Sequence, residues 1–410
     1  MPPPRLPPPR ATDPFEEARS HFLEGLDCLE RSRFEDAEQC FLASLSLQPG
    51  RISTLINLAA TRLELARPVE ALAVADEVIA LEGDNIDAWF HRGTALGLLN
   101  RTQEALAAFD KVIAIDGELA EPWLRRAQVL QSLNRPEEAL GSYDRALAID
   151  PALAQGWSNR GGILQEMRRL EEAAHSFREA LRHGGDRELN EYYLAAVGGG
   201  PSPGTAPQGY VRSLFDDYAD QFDEHLVKVL NYRAHTVLVE RLNTVAPKHF
   251  TSALDLGCGT GLCGALVSSR VDRLTGVDLS GEMLAKARQL GVYQRLVQAD
   301  IAQFLQAAEE PYDLVLAADV FIYVGDLASI FGRVRQAMSP GGWFCFTAEV
   351  ASTQAHDFEL LPSLRYAHSE DSLRKLADLH GFDVVQVLRG ARREDQLETV
   401  TGLYLYLRLR

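Results

Sequence analysis

Apolar positions in the first half of the chain fall at helical spacings inside a unit that recurs every 34 residues. Segments beginning at Ala18, Ile52, Ile86, Ala120 and Ala154 align without a gap. One column reads His21, Leu55, Trp89, Trp123, Trp157, and a second reads Ala37, Ala71, Ala105, Ala139, Ala173. A third reads Phe41, Ala75, Phe109, Tyr143, Phe177, and each unit ends near a breaker: Pro49, Gly83, Gly117, Pro151, Gly185. The small residue lets two helices approach, the bulky one fills the gap between units, and Pro or Gly stops the second helix. The pattern predicts five helical pairs at 18–51, 52–85, 86–119, 120–153 and 154–187. A closing helix at 186–197 is expected to cover the last apolar face.

The second half changes period. Residues 198–209, G-G-G-P-S-P-G-T-A-P-Q-G, carry no apolar periodicity and read as a linker. A domain over 210–410 follows. Tyr210, Phe215, Tyr218 and Phe222 recur at helical spacings. Short apolar runs then alternate with helical patterns, giving strands near 252–256, 273–278, 295–300, 312–318 and 342–348. Two more, near 383–389 and 401–409, have no helix between them. Such alternation builds a parallel sheet covered by helices. A last strand reached by a hairpin has to run antiparallel.

The densest local signal is A-L-D-L-G-C-G-T-G-L-C-G, from Ala253 to Gly264. A strand ends in Asp255, then Gly257, Gly259 and Gly261 alternate. Bare backbone there admits a ligand that any Cβ would block. The next strand ends in a second acid, Asp278, placed to take ribose hydroxyls. Gly259, Gly261 and Gly264 also match the G-x-G-x-x-G fingerprint of dinucleotide enzymes. The acid ahead of the glycines favours the other reading. The stretch resembles the first motif of class I S-adenosylmethionine-dependent methyltransferases, and the 34-residue unit resembles the tetratricopeptide repeat. The closest resemblance is to bacterial tetratricopeptide-repeat proteins fused to a methyltransferase of the small-molecule group. The implied fold is an all-α solenoid followed by an α/β class I methyltransferase (Rossmann-like) with an antiparallel last strand.

The resemblance implies S-adenosyl-L-methionine as cofactor. It places Gly257, Cys258, Gly259 and Gly261 along the methionine and ribose portions. Asp255 orients the amino group, and Asp278 with Leu279 takes the ribose. Asp300 meets the adenine amino group, with Ile301 on the ring, and Ala317 offers a carbonyl. Tyr218, in Y-A-x-x-F-D, is similar to the lid that folds over the cofactor. Two of the acids have a plainer alternative, as helix caps at Ser280 and after Asp300.

Methyl transfer from a sulfonium relies on positioning, and a base is needed only for a protonated acceptor. The acceptor therefore leaves little trace. Candidates are Asp319, Phe321 and Tyr323 at the fourth-strand mouth, with His225, Tyr366 and His368 from flanking segments. A-A-D-V stands where adenine and glutamine methyltransferases carry Asn-Pro-Pro-Tyr, and no Pro-Cys nucleophile or acidic metal triad is evident.

Charge narrows the partners. A net charge of −17 over 410 residues, without a basic cluster, argues against nucleic acid and anionic membranes. The start, M-P-P-P-R-L-P-P-P-R, reads as a proline-rich disordered tail over 1–17 and lacks a secretory apolar core. Five cysteines without ligand spacing fit a cytoplasmic protein with no metal site. The repeats are expected to bind a protein or peptide. Arg92, Arg126 and Arg160 recur in one column, either as ion pairs with Asp110 and Asp144 or as a ladder reading an acidic partner. The expected function is methyl transfer to an acceptor the repeats recruit or gate. The alternative is a scaffold that senses S-adenosylmethionine or S-adenosylhomocysteine without catalysis.

Overall fold

The computed structural model describes residues 13–219, 222, 232–308, 310–352, 357–395 and 398–410. It divides into two units, Met1–Gly185 and Asp186–Arg410.

The first unit is a run of paired helices: α1 (Pro14–Glu30) with α2 (Phe34–Leu47), α3 (Ile52–Glu64) with α4 (Pro68–Leu81), and α5 (Ile86–Leu98) with α6 (Thr102–Ile115). Next come α7 (Ala120–Ser132) with α8 (Pro136–Ile149), and α9 (Ala154–Glu166) with α10 (Leu170–Arg182). The repeat columns explain the packing. All five column alanines are fully buried. A Cβ on Gly93 would come within 2.8 Å of the Phe109 ring, and one on Gly161 within 2.4 Å of Phe177. Each tryptophan Nε1 donates to the carbonyl of a preceding breaker: Trp89 to Gly83 at 2.8 Å, Trp123 to Gly117 at 3.0 Å, Trp157 to Pro151 at 2.9 Å. Turns inside each pair use a left-handed residue that is not glycine: Ser32, Ala66, Asn100, Asn134 and Arg168, with φ from 54° to 61°.

The arginine column is consumed by the fold. Arg126 Nε donates to Asp110 at 2.7 Å, its Nη1 to Ser142 Oγ at 2.6 Å, and its guanidinium lies over the Trp123 ring. Arg160 repeats this set with Asp144, Ser176 and Trp157, and Arg92 pairs with Asp76 over Trp89. The arginines tie helices to one another, so the ladder reading is set aside.

The second unit opens with α11 (Arg187–Ala196), α12 (Gln208–Tyr218) and α13 (Ala234–Val245). The sheet follows: β1 (Phe250–Leu256), α14 (Leu262–Val267), β2 (Val271–Asp278), α15 (Gly281–Gln289), β3 (Arg295–Gln298), α16 (Ile301–Gln306), β4 (Tyr312–Ala317), α17 (Ala328–Gln336) and β5 (Met338–Val350). It ends with β6 (Phe358–Leu360), β7 (Tyr366–His368), α18 (Glu370–Leu379), β8 (Phe382–Asp395) and β9 (Glu398–Leu409). The order runs β3-β2-β1-β4-β5, with parallel pairing throughout. The far edge of β5 takes β9 antiparallel along Trp343–Glu349, then β7 parallel at Glu349 and Val350. β8 and β9 form the closing hairpin, as expected. Alternate residues of each strand enter opposite cores, Val315 and Ala317 on one side and Leu314 and Leu316 on the other.

Two expectations shift. The helix expected to close the repeats lies in the second unit as α11, where the buried Tyr192 donates to the Leu364 carbonyl at 2.6 Å. The expected linker is also pinned. Ala206 N donates to Tyr323 O at 2.9 Å, Gly325 N to Gly204 O at 2.9 Å, and Tyr366 Oη to Pro203 O at 2.8 Å. Gly and Pro there mark missing periodicity, while side chains and carbonyls elsewhere fix the segment.

Candidate functional site

Carboxyl ends of β1 to β4 open onto a cavity of about 390 Å³. The glycine loop forms one wall. Gly257, Gly259 and Gly261 have φ of 58°, 55° and 97°. The three are not equivalent. A Cβ on Gly257 would meet Val320 at 2.6 Å, and one on Gly261 would meet Leu290 at 2.7 Å. A Cβ on Gly259 would meet nothing within 4 Å, so this backbone faces open space. Gly261 caps α14 and does not line the cavity, contrary to expectation.

Asp278 joins the two loops. Its Oδ2 accepts from Gly259 N at 2.8 Å and its Oδ1 from Ser280 N at 2.9 Å. Burial raises its carboxyl above the usual range, opposed by those backbone donors. The cap of α15 is Ser280, whose Oγ accepts from Met283 N, so Asp278 is spared that role. Asp300 does cap its helix: Oδ1 accepts from Ala302 N at 2.9 Å and Gln303 N at 3.0 Å. It lines the cavity too, beside Ile301, Leu279 and Cys258. Ala317 is buried in the sheet, and its neighbour Ala318 is the residue on the cavity wall.

Asp255 is 1% exposed, with Oδ2 accepting from the Tyr293 hydroxyl at 2.7 Å. Burial pushes its carboxyl up to about 7, partly opposed by Tyr293 and aided by the nearby Asp278. Sequence reasoning missed Tyr293. It occupies the turn before β3, and its signal is indirect: Gly261, Gly264 and Gly276 all make room for its ring.

The remaining candidates scatter. Tyr218 reaches the cavity, its ring edge-on to Phe222 at 5.5 Å. Asp319 lines it with φ of 58°, held by Thr347, whose Oγ1 accepts from Asp319 N and donates to Oδ1, each at 2.8 Å. Tyr323 lines it, edge-on to Phe215 at 5.6 Å. Phe321 is buried in the core. Tyr366 points its hydroxyl at Pro203. His368 is buried away from the cavity, its Nε2 donating to the Val324 carbonyl at 2.9 Å. His225 lies outside the described residues. Burial raises the Cys258 and Cys263 thiols, which keeps them protonated and poor nucleophiles. Among the described residues no His, Cys, Asp or Glu group is arranged to hold a metal ion.

These features suit a nucleoside-bearing cation: open backbone at Gly259, buried acids at 255 and 278, and an apolar floor at Ile301. Together with the 3-2-1-4-5 strand order they define a class I methyltransferase domain. Comparisons with known proteins agree. Residues 254–346 match the family model described as a methyltransferase domain, and residues 56–120 and 120–153 match tetratricopeptide repeat models. The chain therefore carries a methyltransferase domain behind tetratricopeptide repeats.

Curated relatives are similar over the methyltransferase part. The trans-aconitate 2-methyltransferase of Paracidovorax citrulli is 37% identical over 111 residues, 27% of this chain and 41% of that protein. The malonyl-[acyl-carrier protein] O-methyltransferase of Enterobacter lignolyticus is 29% identical over 157 residues, 38% of this chain and 57% of that protein. Human methyltransferase-like protein 27 is 33% identical over 159 residues, 36% and 61% of the two chains. In each case the chain spans less than two thirds of the relative's length.

Proposed function

We propose that the second unit binds S-adenosyl-L-methionine and transfers its methyl group to an acceptor held in the same cavity, while the repeats dock a protein or peptide partner. The observation that carries this reading is the Gly259–Asp278 pair. An amide with open space before it donates to a buried carboxylate that itself lines the cavity. When bound, the cofactor would supply an electrophilic methyl carbon to the acceptor's lone pair, with a neutral thioether as leaving group.

The chain's residues supply placement. Gly259 lets the ligand lie on backbone. Asp278, fixed by two amides, has lone pairs left for ribose hydroxyls. Asp255 serves an ammonium group, and Ile301 offers an apolar surface to a base. Asp300 keeps one oxygen for an amino group while the other caps α16. Tyr218 and Phe222 cover the site and exclude water. Holding reactants in line accounts for much of such an acceleration.

The test is transfer of label. The full chain, a methyl-labelled donor and a cell extract are incubated, and label is sought in protein and small molecules. The reading expects labelled product from wild type and about tenfold less, or lower still, from Asp278→Ala at sub-saturating donor. Binding of the cofactor without transfer in any extract would favour the sensing scaffold.

A further inference from the structure

We propose that Arg365 anchors a carboxylate on the methyl acceptor, and that this acceptor is an apolar or aromatic monocarboxylic acid. The inference rests on the methyltransferase reading and adds the acceptor's chemical class.

Arg365 lines the cavity and is half-buried. Its guanidinium has no hydrogen bond or ion pair to any described residue, unlike the arginines of the repeats. It is the sole Lys or Arg among the described lining residues. A partly buried charge is costly unless something pairs with it.

Position separates it from the cofactor's acids. Asp255 and Asp278 lie at the carboxyl ends of β1 and β2, and Asp300 follows β3. Arg365 immediately precedes β7, which lies on the other side of β5 from β4. The lining is mostly apolar and aromatic, including Val211, Leu214, Phe215, Tyr323 and Val324, with Thr205, Gln208 and His235 as further polar members. The backbone under Arg365 is fixed. Its carbonyl accepts from Leu361 N at 2.8 Å, the Leu364 carbonyl accepts from Tyr192, and the Tyr366 hydroxyl donates to Pro203. A guanidinium unpaired among the described residues and carried on a fixed backbone, in a cavity lined largely by apolar and aromatic side chains, matches one carboxylate on an apolar body. The planar fork pairs with it bidentately. A neutral acceptor leaves the cation unpaired, and a polycarboxylate turns its further charges onto apolar walls.

The experiment is calorimetry on the full chain, with and without saturating S-adenosylhomocysteine, using trans-cinnamate and decanoate against cinnamamide and decanamide. Wild type is expected to bind at least one acid about tenfold or more tighter than its amide. Arg365→Gln should abolish that preference and Arg365→Lys should keep part of it. Both should hold S-adenosylhomocysteine within about twofold of wild type, which shows the variants folded. Equal affinity for acid and amide, no binding of either acid, or an undiminished preference in Arg365→Gln would overturn the proposal. The titrations without S-adenosylhomocysteine remain readable if that ligand fails to bind, a result that refutes the methyltransferase reading instead.

Discussion

The Tyr293 hydroxyl donates to the buried Asp255 carboxylate at 2.7 Å, and three glycines exist to admit its ring. A Cβ on Gly264 would stand 2.2 Å from that hydroxyl, and one on Gly276 2.9 Å from the ring. The glycine-rich stretch thus does two jobs. Gly259 faces the ligand, and Gly261 and Gly264 seat the tyrosine that positions the acid.

Tyr293→Phe should weaken S-adenosylhomocysteine binding at pH 7 by about tenfold, the typical worth of a hydrogen bond to a charged group. Losing the donor raises Asp255 further, so the defect should shrink at pH 8.5. Calorimetry at the two pH values checks both effects.

Asp255 also predicts a pH dependence. Its folded-state carboxyl is raised to about 7, above the usual carboxylate value of about 3.9. The fold therefore favours the protonated form. That contribution to stability is full below the unfolded value and is lost as pH rises through about 7. A ligand ammonium favours the ionised form instead, so cofactor affinity should climb by up to about one log unit per pH unit below 7 and level off above it. Asp255→Asn should flatten this profile. It should also raise the melting temperature of the second unit at pH 8 by about 3 °C or more, at about 2–4 °C per kcal/mol.

Glycine substitutions separate the two jobs. Gly259→Ala keeps its surroundings clear and costs only left-handed strain, about 1–2 kcal/mol. It should fold yet bind S-adenosylhomocysteine more than about tenfold more weakly, since the new methyl occupies the ligand's space. Gly264→Ala displaces Tyr293 and should lose stability and binding together. Paired melting curves and titrations distinguish them.

In the repeats, Arg126→Ala removes an ion pair, a hydrogen bond to Ser142 and a contact over Trp123. A loss of about 1–2 kcal/mol is expected in the solenoid transition. Asp110→Ala should cost less, because Asp110 is half-exposed and its arginine keeps Ser142 and Trp123. Chemical unfolding of the two variants compares them.

The repeats were legible because their period survives every substitution. Ala37 to Ala173 hold the column even where His21 or Leu55 replaces tryptophan. The glycine loop and the acids at the ends of β1, β2 and β3 were legible because strand ends announce them. Contacts across the fold were not. Nothing local tells that Gly259 faces space while Gly264 faces Tyr293, or that Ser280 takes the cap and frees Asp278. Arg365 sits between two three-residue strands, too short to carry a pattern. Residues 198–209 lacked periodicity, and their fixed position comes from partners more than 100 residues away, Tyr323 and Tyr366.

The Gly259–Asp278 pair holds the nucleoside of the cofactor, and titration of the full chain with S-adenosylhomocysteine, which carries the same nucleoside, tests this most directly. Wild type is expected to bind one equivalent with a Kd in about the micromolar range, and Asp278→Ala to lose about tenfold or more. No heat with wild type, or equal affinity in Asp278→Ala, would contradict it.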